Sequence, residues 1–254
     1  MPTRVISIAN QKGGVGKTTT SVTLAFGVAR SNKRVLLVDC DPQANTTTSV
    51  LGTEEPALTI YDLLARDAEL EDVVMQTPED GLDLIASEID LAGIEAELVG
   101  QVGGQTLLRS KFRTKLFRRY DFVIIDTPPS LGLLTLNSLA ASTEVLITVS
   151  MSFFATKGLT QLERTVELVR ERLDTPKLRI GGVVCTLYDN TNVAADVHEA
   201  IQHRYGDLAF KTVIPRNIKV EEAHSRGMSV FDYAPESKGA LAYQEFVKEL
   251  ISRG

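Results

Sequence analysis

QKGGVGKTT, residues 11–19, sets two lysines five positions apart in a run of glycines. It follows VISIA (5–9), a short apolar run that reads as a buried strand, and precedes a helical segment with Val22, Leu24, Ala25, Val28 and Ala29 on its apolar side. A strand, a glycine-rich turn and a helix in that order is the setting of a phosphate-binding loop. Gly13, Gly14 and Gly16 let backbone N–H groups turn inward and approach phosphate oxygens closely. The helix beginning near Gly16 adds its positive end. Lys17 can place an ammonium at the β- and γ-phosphates, and Thr18 can put a hydroxyl on Mg²⁺. The run from Gly13 through Val15 and Gly16 to Thr19 is therefore expected to bind a nucleotide. The strict pattern G-x-x-x-x-G-K-[ST] requires Gly at position 11, where this chain has Gln11, and Lys12 has no obvious task in its own loop.

Outward from the loop, short apolar runs alternate with helical periods. RVLLVDCD (34–41), LDLIAS (82–87), DFVIID (121–126), EVLITVS (144–150), RIGGVVCTLY (179–188) and LAFKTVIP (208–215) read as further strands. The near-continuous Val/Leu content of 34–41 suits a parallel strand covered on both faces. The clearest helix is 157–173, with Leu159, Leu162, Val166, Val169 and Leu173 on one stripe; 192–205 and 238–252 read similarly. This alternation predicts an α/β fold, a doubly wound, mostly parallel sheet with helices on both faces. No repeat or Pro/Gly linker divides the chain, so residues 1–254 are read as one domain. The stretch 52–80 is acidic and irregular, suited to short helices with a solvated face.

Three carboxylates fall at strand ends. Asp126 closes 121–126, beside the loop in the crevice where such sheets bind ligands, and can hold Mg²⁺ through a bound water. Asp39 and Asp41 end 34–41; period two puts both on one face, where a carboxylate can hold metal or orient an attacking water. No residue has the look of a strong general base, so turnover is expected to be slow.

Composition limits the partners. The chain has 254 residues, 43% of them hydrophobic and 24% charged, with a net charge of −6, so any binding to nucleic acid needs a local basic patch. LLRSKFRTKLFRRY (107–120) has six basic residues and no acid. Read as one helix, it buries Leu108, Phe112 and Leu116 and projects Lys111, Lys115 and Arg118 outward. The two cysteines, Cys40 and Cys185, belong to no metal-ligand cluster and read as buried thiols in a reducing compartment. No run approaches the length of a membrane span, so no membrane partner and a cytoplasmic location are expected.

KGGVGKTT resembles the deviant Walker A motif of the ParA/MinD family of P-loop ATPases. VLLVDCDPQAN, FVIIDTPPSLGLLTLNSL, TVIPRNIKVEEAHSRGMSVFDY and SKGALAYQEFVKEL match the family's later segments, and the ensemble is most similar to short, chromosomal-type (Soj-like) ParA proteins. The resemblance implies ATP and Mg²⁺ as cofactors and a homodimer in the ATP state. Lys12 then crosses the dimer interface to the phosphates held by the other subunit, while Lys17 serves its own. It assigns water positioning to Asp41 and the adenine frame to Pro215 and Asn217. It also implies binding of double-stranded DNA without sequence preference, to which Lys219 and Arg216 would contribute, nucleoid association in the ATP state, and stimulation by a ParB-like partner.

Four positions depart from the family pattern. Asn190, Thr191 and Asn192 stand where an Arg is common, Ala44 replaces a Gly, Lys157 an acid and His224 a Pro. The missing Arg points to a redistributed basic patch or to a different cargo, such as a chemoreceptor cluster or a conjugative element; a separate reading is the cargo-free one, a MinD-like membrane-cycling regulator. The latter needs an amphipathic basic C-terminal helix, whereas FVKELISRG is short. An electron-transfer ATPase of the nitrogenase iron-protein type would need paired cluster cysteines, which Cys40 and Cys185 do not supply, and no residues of a small-molecule kinase or ligase stand out.

Overall fold

A computed structural model describes residues 2–152 and 158–253. Eight strands form one sheet: β1 (Arg4–Ala9), β2 (Val35–Asp39), β3 (Val74–Gln76), β4 (Leu82–Ile85), β5 (Phe122–Asp126), β6 (Glu144–Ser150), β7 (Arg179–Tyr188) and β8 (Ala209–Pro215). Their spatial order is β3-β4-β2-β5-β1-β6-β7-β8, parallel throughout except for β3 against β4. The helices are α1 (Lys17–Ala29), α2 (Asn45–Leu51), α3 (Ile60–Ala65), α4 (Leu70–Val73), α5 (Ile94–Leu98), α6 (Leu107–Lys111), α7 (Leu133–Ala141), α8 (Leu159–Arg172), α9 (Asn192–Tyr205), α10 (Ile218–His224), α11 (Val230–Tyr233) and α12 (Lys238–Ser252).

Alternation along buried strands sorts the side chains to two faces. Ile6, Ile8, Leu37 and Ile124 pack with α1 and α12 on one side. Val5, Leu36, Val38, Val123 and Ile125 pack with α3 to α6 on the other. Val145, Ile147 and Val183 continue that second face beneath α7, α8 and α9. The predicted stripe of α8 is in place, with Leu159, Leu162, Val166 and Val169 buried. Truncating one of these to Ala costs about 2–5 kcal/mol. Lys157, at the start of the helix expected from 157, lies outside the described residues.

β1 is central, and the chain builds outward from it in both directions. That arrangement puts the ends of β1, β2 and β5 on one rim, with Ile8 and Asp39 both in register with Asp126. At the opposite rim, buried Glu144 takes a two-pronged ion pair from Arg4, both contacts at 3.0 Å. At the β8 edge, Glu249 of α12 accepts hydrogen bonds from the main-chain amides of Lys211 and Thr212 at 2.9 and 3.0 Å.

Two expectations change. Within 52–80 the short helices are present as α3 and α4, but β3 also forms there as an antiparallel edge; its three residues are too few to show a period. The segment 107–120 is not one helix. α6 stops at Lys111, a turn follows, and a single 3₁₀ turn covers Phe117–Arg119. Thr114 Oγ1 accepts the Phe117 amide, a local bond that competes with helix continuation, and Phe112 stacks on Phe117 with ring centroids 4.6 Å apart.

Candidate nucleotide site

The loop between β1 and α1 holds Gly14 at φ 69° and Gly16 at φ 77°. Both lie in the left-handed region that glycine enters without strain. A Cβ at Gly13 or Gly14 would meet no atom within 4 Å, so the loop faces open space at these two positions. Behind it, Thr186 of β7 donates to the Val15 carbonyl at 2.8 Å and fixes the loop's back wall. Thr19 lies half-buried in the first turn of α1.

Lys17 is 93% shielded from solvent, yet among the described residues its ammonium makes one hydrogen bond, to the Lys12 carbonyl at 3.4 Å. Burial pulls its pKa down, while Asp126 and Asp41 push it up. A buried cation with one distant acceptor fits an anion in the space before it, and Mg²⁺–ATP fits this donor set. Gln11, where the strict motif has Gly, keeps a buried Nε2 without an acceptor among the described residues.

Asp126 is fully buried. Ser21 donates to its Oδ1 at 2.9 Å; Thr18 and Thr46 donate to its Oδ2 at 2.8 Å each. Burial raises its pKa, and the three hydroxyls and the Lys17 ammonium counter that rise. The Thr18–Asp126 pair brings together the two predicted Mg²⁺ contacts, and no third His, Cys, Asp or Glu among the described residues completes a protein-only metal cage. A metal shared with phosphate and water needs none.

Asp39 and Asp41 have different surroundings. β2 ends at Asp39, so the chain has already turned at Asp41, and the two do not share a strand face as period two had implied. Asp39 accepts from the Asp41 amide at 3.1 Å and from the Thr47 amide and hydroxyl at 2.9 and 2.8 Å. Burial first, and then neighbouring Asp126, raises its pKa. With no exposed surface and three protein donors, Asp39 braces the start of α2, and its geometry does not suit a metal ligand. Asp41, 8% exposed, accepts the Gln43 amide at 3.0 Å on one oxygen, and its other oxygen has no hydrogen bond among the described residues. Ala44 sits at φ 51° in the turn between β2 and α2, which explains why glycine suits that position.

Lys12 is exposed, and its ammonium donates to Ser152 at 3.0 Å. Pro215 ends β8, and Asn217 caps α10 by accepting the Lys219 amide at 2.9 Å. The Tyr188 carbonyl accepts the Arg216 amide at 3.0 Å, tying this loop to β7 beside the phosphate loop. His224 is buried, with Nε2 3.2 Å from Thr23 Oγ1 on α1; burial pulls its pKa down to about 4.

The basic candidates are dispersed. Lys219 pairs with Glu222 at 2.8 Å, and Arg216 is exposed nearby. Lys111 turns inward to donate to the Ala68 carbonyl at 3.0 Å, contrary to the outward face expected of it. Lys115 and Arg118 remain exposed, and Arg118 borders a groove of about 820 Å³ at the amino rim of the sheet, with Arg109 and Arg113.

Sequence reasoning overlooked Ser21, Thr46, Thr47 and Thr186. Three of these four had a visible signal: KTTTSV (17–22) and NTTTSV (45–50) are nearly identical hydroxyl runs, the first donating to Asp126 and the second to both Asp126 and Asp39.

Residues 3–180 match a family model described as an AAA domain. The chain is 45% identical to the sporulation initiation inhibitor protein Soj of Bacillus subtilis over 99% of both chains. It is 43% identical to the chromosome partitioning protein ParA of Caulobacter vibrioides, covering 99% of this chain and 95% of that one. Among solved structures it resembles a Mycobacterium smegmatis protein described as cobyrinic acid a,c-diamide synthase, with a bound ATP analogue and magnesium. That likeness has a TM-score of 0.83 at 37% identity, over 98% of this chain and 94% of that one.

Proposed function

The chain belongs to the Soj/ParA family of P-loop ATPases, and from that premise we propose that it is a dimerising switch acting in chromosome or plasmid partition. ATP and Mg²⁺ are the ligands of its loop. In the ATP state the protein forms a homodimer and holds double-stranded DNA without sequence preference; a ParB-like partner stimulates hydrolysis and release. The observation that carries this reading is the division of labour between two lysines. Lys17 is buried at its own loop, while the Lys12 ammonium is turned away from it toward Ser152.

The residues divide the work. Backbone N–H groups of Gly13 to Gly16 and the Lys17 ammonium hold the phosphates. Thr18 and Asp126 hold the metal, Asp126 through water. Bound Mg²⁺ neutralises phosphate charge and orients the transferred group. Asp41 orients the attacking water, Lys12 stabilises charge on the partner's phosphates, and Pro215 and Asn217 frame the base. On this reading the protein resides in the cytoplasm and on the nucleoid. One continuous sheet through all eight strands supports residues 1–254 as one domain.

Neither alternative chemistry has comparable support. No helix among the described residues is long and apolar enough to cross a membrane. α12 spends Tyr243, Phe246, Val247 and Leu250 on the core, leaving it no apolar face for a membrane surface. The synthase name of the Mycobacterium smegmatis structure, at 37% identity, is outweighed by the Soj and ParA relatives, at 45% and 43% identity along the whole chain.

The test is gel filtration with ATP–Mg²⁺ against ADP–Mg²⁺, followed by a mobility shift on mixed-sequence DNA at two salt concentrations. Dimers and salt-sensitive DNA binding are expected with ATP only. ATP-driven dimers that ignore DNA at low salt would remove the partition role and leave the ATPase.

A further inference from the structure

Lys12 is held from behind. Asn10, between the end of β1 and the loop, is buried, and both ends of its amide are in use. Nδ2 donates to the Thr148 carbonyl on β6 at 2.6 Å, and Oδ1 accepts the Lys12 amide at 2.9 Å. The second bond is an Asx turn, which fixes the backbone two residues on. The Lys12 carbonyl faces Lys17 Nζ at 3.4 Å, and the side chain leaves toward Ser152, past the end of β6. The base of Lys12 is thus tied to β6 while its ammonium remains exposed. Among short side chains only Asn can donate to a carbonyl and accept from an amide at once; Asp lacks the donor and Ser the reach.

We propose that Asn10 is a positioning residue for Lys12: by pinning the Lys12 backbone to β6, it turns that side chain out of its own phosphate site and toward a second copy of the chain. The inference rests on the cross-subunit reading of Lys12 and adds what the lysine's spacing alone does not explain, namely why it points outward. A glycine-flanked lysine without the tie would be free to fold back onto phosphates in its own loop, which attract it equally.

The test is a double-mutant cycle of Asn10→Ala and Lys12→Ala, with Asn10→Asp as a second variant that keeps the acceptor and loses the tie to β6. Three quantities are read: affinity for ADP as the probe ligand, ATP-driven dimerisation, and kcat. Asn10→Ala and Asn10→Asp are expected to lower dimerisation and kcat by about tenfold to a hundredfold, as small misplacements of reacting groups do, with ADP affinity changed less than about threefold. In the Lys12→Ala background Asn10→Ala should add nothing further. Equal losses with and without Lys12, or a parallel loss of ADP affinity, would make Asn10 a mere support of the loop and overturn the proposal. So would wild-type behaviour of both Asn10 variants beside an impaired Lys12→Ala. A Lys12→Ala protein that still dimerises and turns over ATP normally defeats the cross-subunit reading itself.

Discussion

The two rims of the sheet are built by different rules. At the carboxyl rim, functional groups arise from the ends of β1, β2 and β5 and the first turns of α1 and α2, and register decides what meets what. At the amino rim, the basic segment 107–120 hangs between short turns, and local bonds decide which cation faces water. A motif bounded by regular elements is therefore placed by the fold. A charge pattern outside them is not: Lys111 turns inward, Arg109 is spent on the carbonyls of Leu173 and Asp174, and Arg118 and Arg119 lie in a 3₁₀ turn.

The strongest way to break this contrast is Lys17→Ala. Removing a buried cation from a preorganised site is expected to lower nucleotide affinity by about 100-fold or more, read by titration with a fluorescent ATP analogue. Retention within about tenfold would mean that the backbone cradle suffices and that the side chains of this rim matter as little as those of the other. Asp126→Asn comes next. It removes the negative charge and replaces one of the two oxygens that accept from Ser21, Thr18 and Thr46 with an NH2 donor, and Mg²⁺-dependent hydrolysis should fall by about 10²-fold in steady-state assays. Unchanged Mg²⁺ dependence would sink its assignment.

The third prediction concerns the support beneath the carboxyl rim. Buried His224 has its pKa near 4 in the folded protein against 6.5 in the open chain. Above pH 6.5 both states are neutral and His224 has no effect on stability. As pH falls from 6.5 to 4 the unfolded chain takes the proton first, so stability drops by roughly 3 kcal/mol, and below 4 the loss levels off. Raised carboxyl pKa values at Asp39 and Asp126 act in the opposite direction, so the measurement is a difference: urea melts of wild type and His224→Gln at pH 7 and 4.5. Parallel pH profiles for the two proteins would contradict the assignment.

The smallest effect sharpens the contrast within the basic segment itself. If DNA lies along it, Lys115→Ala and Arg118→Ala should each lower the slope of log affinity against log salt by about 0.9, whereas Lys111→Ala leaves the slope unchanged. Equal effects at Lys111 would show that this cation leaves the Ala68 carbonyl on binding.

Much of the fold was legible because buried parallel strands are continuous apolar runs: the seven longer strands and the stripe of α8 were all foreseen. The loop was legible for the same reason, since its glycines and Lys17 act through residues adjacent in sequence. Asn10 and Thr186 were not, because each acts on a residue that only the fold brings near, 138 positions away for Asn10–Thr148 and 171 for Thr186–Val15. A hydroxyl or amide carries no periodicity to announce such a partner. β3 escaped notice because its three residues, Val74 to Gln76, gain their pairing only from β4.

Glu249 has a consequence for assembly. β8 is an edge strand, and an edge strand with bare amides is a template onto which another chain can add. The α12 carboxylate already occupies two of those amides, at Lys211 and Thr212. Growth of the sheet from molecule to molecule is thereby blocked along this stretch. For the reversible dimer proposed above, this closes off the one mode of pairing, strand on strand, that would be hard to reverse.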